Sequence, residues 1–108
     1  PRATTAEDAW AALVAARAVS AVGGPHRGGP VDRVLELDRR EGAEYARTLS
    51  AALAHPGDPR AAAARLHVHP NTFRYRMRRL RQEVPLDLDD ETVRLALALQ
   101  LRAAGAVP

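Results

Sequence analysis

The 108-residue sequence has no cysteine, no lysine and no isoleucine, and aromatic residues make up only 4% of it. Without cysteine there is no disulfide framework, no thiolate nucleophile and no cysteine-ligated zinc, which agrees with a reducing cytoplasm. No apolar run approaches the ~18 residues that a bilayer-spanning helix needs, and the first residues carry neither a basic leader nor a cleavable apolar segment. The chain therefore reads as soluble and cytoplasmic, with no membrane partner. Few aromatics and no isoleucine leave little material for strands, whereas alanine and leucine are abundant, so an all-α fold is expected. The length suits one compact domain. The chain begins at Pro1 and its single methionine is Met77, so it reads as a piece of a longer protein.

Charge is strongly segregated along the chain. The formal net charge is +3, yet residues 59–82 hold seven arginines and no acid, while residues 83–94 hold five acids and one arginine. A dense basic block beside an acidic one is a candidate footprint for a polyanion. A solvated helix face is the competing reading.

Hydrophobic spacing divides the chain into helices. Thr5 and Asp8 have capping spacing ahead of a helix to Val22, with Trp10, Leu13, Val14, Ala18 and Ala21 as its apolar stripe. Gly23-Gly24-Pro25 should end it, and residues 26–30 read as a Gly/Pro connector. Val31, Val34, Leu35 and Leu37 indicate a short second helix. Asp38 is expected to start a third, because Asp38 and Glu41 have the spacing of a capping box, with Tyr45, Leu49 and Leu53 as its apolar stripe. Pro56-Gly57 stops that helix, and Asp58-Pro59 opens a fourth that runs to Leu66. Asp89 or Asp90 caps a final helix to about Ala104. Its leucines lie on two faces, Leu97 and Leu101 on one and Leu95 and Leu99 on another, so the second face needs a cover: the first helix or a symmetry mate.

Residues 61–80 read as helix, tight turn, helix. Ala61 to Ala64 supply small side chains where two helices must cross closely, and His67-Val68-His69 forms the turn. Pro70 fits the first position of the next helix, which can continue until Pro85 disfavours helical geometry at Val84. Phe73, Met77 and Leu80 fall together as its buried face. Asn71, Arg74, Tyr75, Arg78, Arg79 and Gln82 then lie opposite. That composition suits a helix in the major groove of double-stranded DNA, where arginine bonds guanine, Asn and Gln bond adenine, and further arginines hold phosphates.

The segment AAAARLHVHPNTFRYRMRRL resembles the C-terminal helix-turn-helix domain of PucR-type bacterial transcription regulators. The likeness extends upstream through LELDRREGAEYARTLSAAL and downstream through VPLDLDDETVRLALALQL, covering about residues 31–102. Relatives are similar to the Fis-type three-helix DNA-binding unit and carry it behind an effector-sensing region. The resemblance implies a multi-helix DNA-binding domain over residues 31–108 with a Fis-like helix-turn-helix. It leaves residues 1–30, the first helix and its linker, unassigned or as the tail of an upstream domain. By the same resemblance, Asn71, Thr72, Arg74, Tyr75, Arg78 and Arg79 sit on a recognition helix of about residues 70–83, with Ala61 to Leu66 on the supporting one. Asn71, Arg74 and Arg78 are the candidates for base edges. Arg65, Tyr75, Arg79 and Gln82 are candidates for the backbone, and His69 is expected either to bring an imidazole near phosphate or simply to lie exposed. The sequence departs from relatives at GDPRAAAARL, where a Gly-Asn turn and a polar supporting helix are commoner.

Other chemistry lacks its parts. His67 and His69 form an H-x-H pair without a third or fourth metal ligand nearby, and the acidic run from Asp87 to Glu91 lacks the spacing and glycine of a calcium loop. No Ser/His/acid set, glycine-rich phosphate loop or paired carboxylate can be assembled, so neither catalysis nor a cofactor is expected. The rival to a DNA-binding, homodimeric regulator domain is a helical dimerisation or protein-interaction module whose arginines meet an acidic protein or water. The two differ in salt dependence, which is steep when phosphates are neutralised.

Overall fold

The computed structural model describes residues 5–22 and 29–108. These form six helices: α1 (Ala6–Ala21), α2 (Pro30–Glu41), α3 (Tyr45–Ala54), α4 (Pro59–Arg65), α5 (Pro70–Glu83) and α6 (Glu91–Ala103). There is no strand among the described residues, in keeping with the all-α expectation. The Gly23-Gly24-Pro25 stop and the connector through Gly28 lie outside the described residues.

Helix ends follow local chemistry. At α1 the Thr5 hydroxyl accepts from the Asp8 amide while the Asp8 carboxylate accepts from the Thr5 amide, a reciprocal capping box. Asp58 accepts from the Ala61 amide ahead of Pro59, and Asp90 accepts from the Val93 amide. Val84, which precedes Pro85, closes α5.

One boundary differs from the sequence expectation. Asp38 does not start α3; α2 continues through it to Glu41 and ends at Gly42, whose φ of 64° no β-carbon hinders. Helix α3 starts only at Tyr45, and its own N-cap, Glu44, makes no side-chain cap. The amides of Tyr45 and Ala46 instead donate to the Asp38 carboxylate, at 2.5 and 3.2 Å. The acid still caps the third helix, but from the last turns of the second. Glu41, the supposed box partner, turns away and accepts from the Tyr45 hydroxyl at 2.7 Å.

Helix α3 occupies the middle and touches α2, α4, α5 and α6. Its Leu49 and Ala51 are fully buried, with Val34 and Leu37 of α2, Ala62 and Ala63 of α4, Phe73, Met77 and Leu80 of α5, and Leu97 and Leu101 of α6 around them. The two alanines let α4 approach its neighbours closely, as their size suggested. Thr48, also buried, satisfies its hydroxyl by donating to the Glu44 carbonyl at 2.7 Å.

Helix α1 packs along α6 yet buries none of its residues. Its apolar stripe does not become core: Trp10 is 65% exposed, and Leu13 and Val14 are about half exposed. On α6, Leu95 stays 60% exposed, so the second leucine face is only partly covered within the chain.

Candidate nucleic-acid interface

Helices α4 and α5 join through four residues, Leu66 to His69, whose hydrogen bonds define the shape of the turn. The Val68 amide donates back to the Ala63 carbonyl at 3.0 Å and the His67 amide to the Ala64 carbonyl at 3.1 Å, the paired pattern of a Schellman motif. His67 occupies its left-handed position with φ 57°, the sole non-glycine residue with positive φ among the described residues. His69 then caps α5, its Nδ1 accepting from the Asn71 amide at 3.0 Å, with Pro70 first in the helix. That acceptor role places the ring proton on Nε2.

Phe73, Met77 and Leu80 anchor α5 in the core. Its outer face presents Asn71, Arg74, Tyr75, Arg78 and Gln82, all exposed, with Tyr75 at 55% near the centre. Thr72 is half-buried beside them. Arg74 donates to the Asn71 side-chain oxygen at 3.4 Å, one turn apart. Fourteen residues make α5 about 21 Å long, enough to cross a major groove ~12 Å wide.

Two of the sequence-predicted residues are not free on this face. Arg65, at the end of α4, lines a separate hollow with Ser50, Ala98 and Arg102, away from the α5 face. Arg79 is engaged rather than free. Its Nε donates to Glu41 at 3.1 Å, its Nη2 also meets that carboxylate, and its Nη1 bonds Glu83 at 2.7 Å. Arg40 adds a longer contact to Glu83, at 3.6 Å. This network ties α5 to α2. The Arg79 and Tyr45 hydrogen bonds hold the Glu41 carboxyl below the usual carboxylate range, and the same pairing raises the Arg79 guanidinium above its own. Burial, reinforced by the bond to Glu41, pushes the Tyr45 phenol up to about 12.

The opposite edge of α5 is built differently. Arg74, Arg78 and Arg81 recur along it and border a cleft of about 540 Å³, floored by Phe73 and Met77 and closed by Arg94 of α6. Arg81 and Arg94 were not singled out from the sequence. The signal for Arg81 is its three- and seven-residue spacing from Arg78 and Arg74; Arg94 is hidden in the acidic stretch and reaches this cleft only through tertiary packing.

Among the described residues no group of three or more His, Asp or Glu side chains could hold a metal ion, and no helix is long and apolar enough to cross a membrane. Residues 45–103 match the family model of the PucR C-terminal helix-turn-helix domain, a span that begins with α3 and ends with α6. No curated protein and no solved structure matches the chain significantly.

Proposed function

Since the chain belongs to the family of PucR C-terminal helix-turn-helix domains, we propose that it binds double-stranded DNA as part of a bacterial transcription regulator, with α5 in the major groove. The observation that carries this reading is the two-sided construction of α5: three apolar anchors in the core, and an outer face of Asn71, Arg74, Tyr75, Arg78 and Gln82 without a single acid. Asn71, Arg74 and Arg78 would meet base edges, because amide and guanidinium groups can form the paired hydrogen bonds that adenine and guanine present. Tyr75, Gln82, Thr72 and the capping His69 border them and address sugar and phosphate. Binding to chromosomal DNA would locate the protein in the cytoplasm.

The exposed Trp10, Leu13 and Val14 of α1 and Leu95 of α6 support a homodimer, which would pair two recognition helices across a two-fold operator. Sedimentation equilibrium of the chain and of Leu95→Glu tests it, with a monomer at all concentrations counting against the dimer.

DNA binding is tested by fluorescence anisotropy on a duplex pool over a salt series, beside an Arg74→Ala/Arg78→Ala variant. Wild type should weaken steeply, by about 0.9 in log–log slope per phosphate neutralised, and the variant should lose most affinity. A shallow dependence shared by both proteins would favour the protein-interaction reading. Of the pair, Arg74→Ala should relax preference at one base position, the mark of a base contact.

A further inference from the structure

The two edges of α5 differ in how their arginines are held, and the difference bears on which DNA strand the helix grips. On one edge Arg79 is taken by Glu41 and Glu83. On the other, among the described residues, no carboxylate lies within ion-pair distance of Arg78, Arg81 or Arg94, and Arg74 bonds a neutral amide oxygen. We propose that the arginine grip on the backbone is one-sided: the cleft bounded by Arg81 and Arg94 seats the phosphates of one DNA strand, while the Arg79 edge serves to hold α5 against α2. This rests on the DNA-binding reading above.

Three observations support it. First, the cleft is continuous with the base-reading face, because Arg74 and Arg78 belong to both. A strand whose bases meet those side chains has its backbone running over that edge. Second, the charge is complementary to a polyanion. Four guanidinium groups line the cleft against two carboxylates, Asp58 and Asp89, and Asp58 is already committed to the Ala61 amide as the α4 cap. Third, Phe73 and Met77 beneath the rim are apolar and buried, so they offer no acceptor to compete with a phosphate for the arginines, and Asp89 is the lining carboxylate that would. Arg79 cannot serve equally: contact with phosphate would require it to leave two carboxylates that sit within hydrogen-bond distance.

The test compares salt slopes by anisotropy for the 108-residue chain and for Arg81→Gln/Arg94→Gln, Arg79→Gln and Asp89→Asn, each checked for wild-type helicity and thermal midpoint. Losing two phosphate contacts should lower the slope by about 1.8 and weaken binding alike on every duplex. Arg79→Gln should leave the slope unchanged even where it lowers the thermal midpoint, and Asp89→Asn should tighten binding. An unchanged slope in Arg81→Gln/Arg94→Gln, or an equal fall in Arg79→Gln, overturns the one-sided grip while leaving DNA binding intact. Absence of salt-sensitive duplex binding by the wild type overturns both.

Discussion

Asp38 lies in the last turns of α2, yet its carboxylate receives the first two amides of α3, those of Tyr45 and Ala46. A side chain of one helix thereby caps the next, bridging the Gly42 turn. Those amides have no carbonyl within their own helix to bond. Asp38→Ala should therefore cost about 2 kcal/mol, the upper end for losing a helix cap, and Asp38→Asn, which keeps one acceptor oxygen, roughly half that. Urea denaturation followed by circular dichroism measures both. Equal stability of Asp38→Ala and wild type would show that water replaces the carboxylate at no cost.

The turn between α4 and α5 carries a side chain where glycine is the common choice. His67 adopts φ 57° at the left-handed position of the Schellman motif. A β-carbon there costs roughly 1–2 kcal/mol, partly offset in glycine by about 0.5–1 kcal/mol of extra chain entropy. His67→Gly should then stabilise the domain slightly, by up to about 1 kcal/mol, whereas a branched residue such as His67→Val should destabilise it. Thermal midpoints of the two variants should move in opposite directions, and a parallel shift would contradict this account.

Local signals in the sequence located most of this architecture. Proline at the first position of α4 and α5, acids ahead of α4 and α6, and Pro85 after α5 each act within one helical turn, so their geometry is readable from spacing alone. The buried trio Phe73, Met77 and Leu80 follows from helical periodicity in the same way. The α2–α3 junction was misplaced because Asp38 and Glu41 have capping-box spacing, yet an apolar stripe from Val31 to Leu37 favours continuing α2 through them. Interactions between distant segments were not legible. Nothing near Arg79 in sequence signals Glu41, 38 residues away, and Arg94 joins the cleft only when α6 packs against α3. For α1, a stripe that reads as core is left on the surface, because periodicity shows which residues share a face but not whether anything covers it.

Tyr45 reports the α2–α3–α5 junction directly. Its ring is 2% exposed and its hydroxyl donates to Glu41, so burial and that hydrogen bond raise its ionisation from 10.0 to about 12. A phenol whose folded value is raised contributes stability that is fully present below pH 10.0 and is lost as pH climbs through about 12. Absorbance titration should show a late tyrosinate component that disappears in Tyr45→Phe. A wild-type titration with no component near pH 12 would mean that the hydroxyl is not held as described.

In acid, Glu41 and Asp38 should act with opposite sign, although they lie one helical turn apart. The Arg79 and then the Tyr45 hydrogen bonds lower the Glu41 carboxyl from 4.5, so its contribution is complete above that value and fades as pH falls through its lower folded value. Burial raises the Asp38 carboxyl from 3.8 despite its two amide bonds, so its titration favours the fold below 3.8, and that gain is lost as pH rises through the folded value. The two carboxyls thus contribute to the acid slope with opposite sign. Thermal midpoints followed downward from neutral pH should fall less steeply in Glu41→Gln, where the acid-labile bridge to α5 is already gone, and more steeply in Asp38→Asn, where the opposing carboxyl has been removed. If both variants flatten the acid limb, desolvation does not outweigh hydrogen bonding at Asp38, and its carboxylate is held chiefly by the α3 amides.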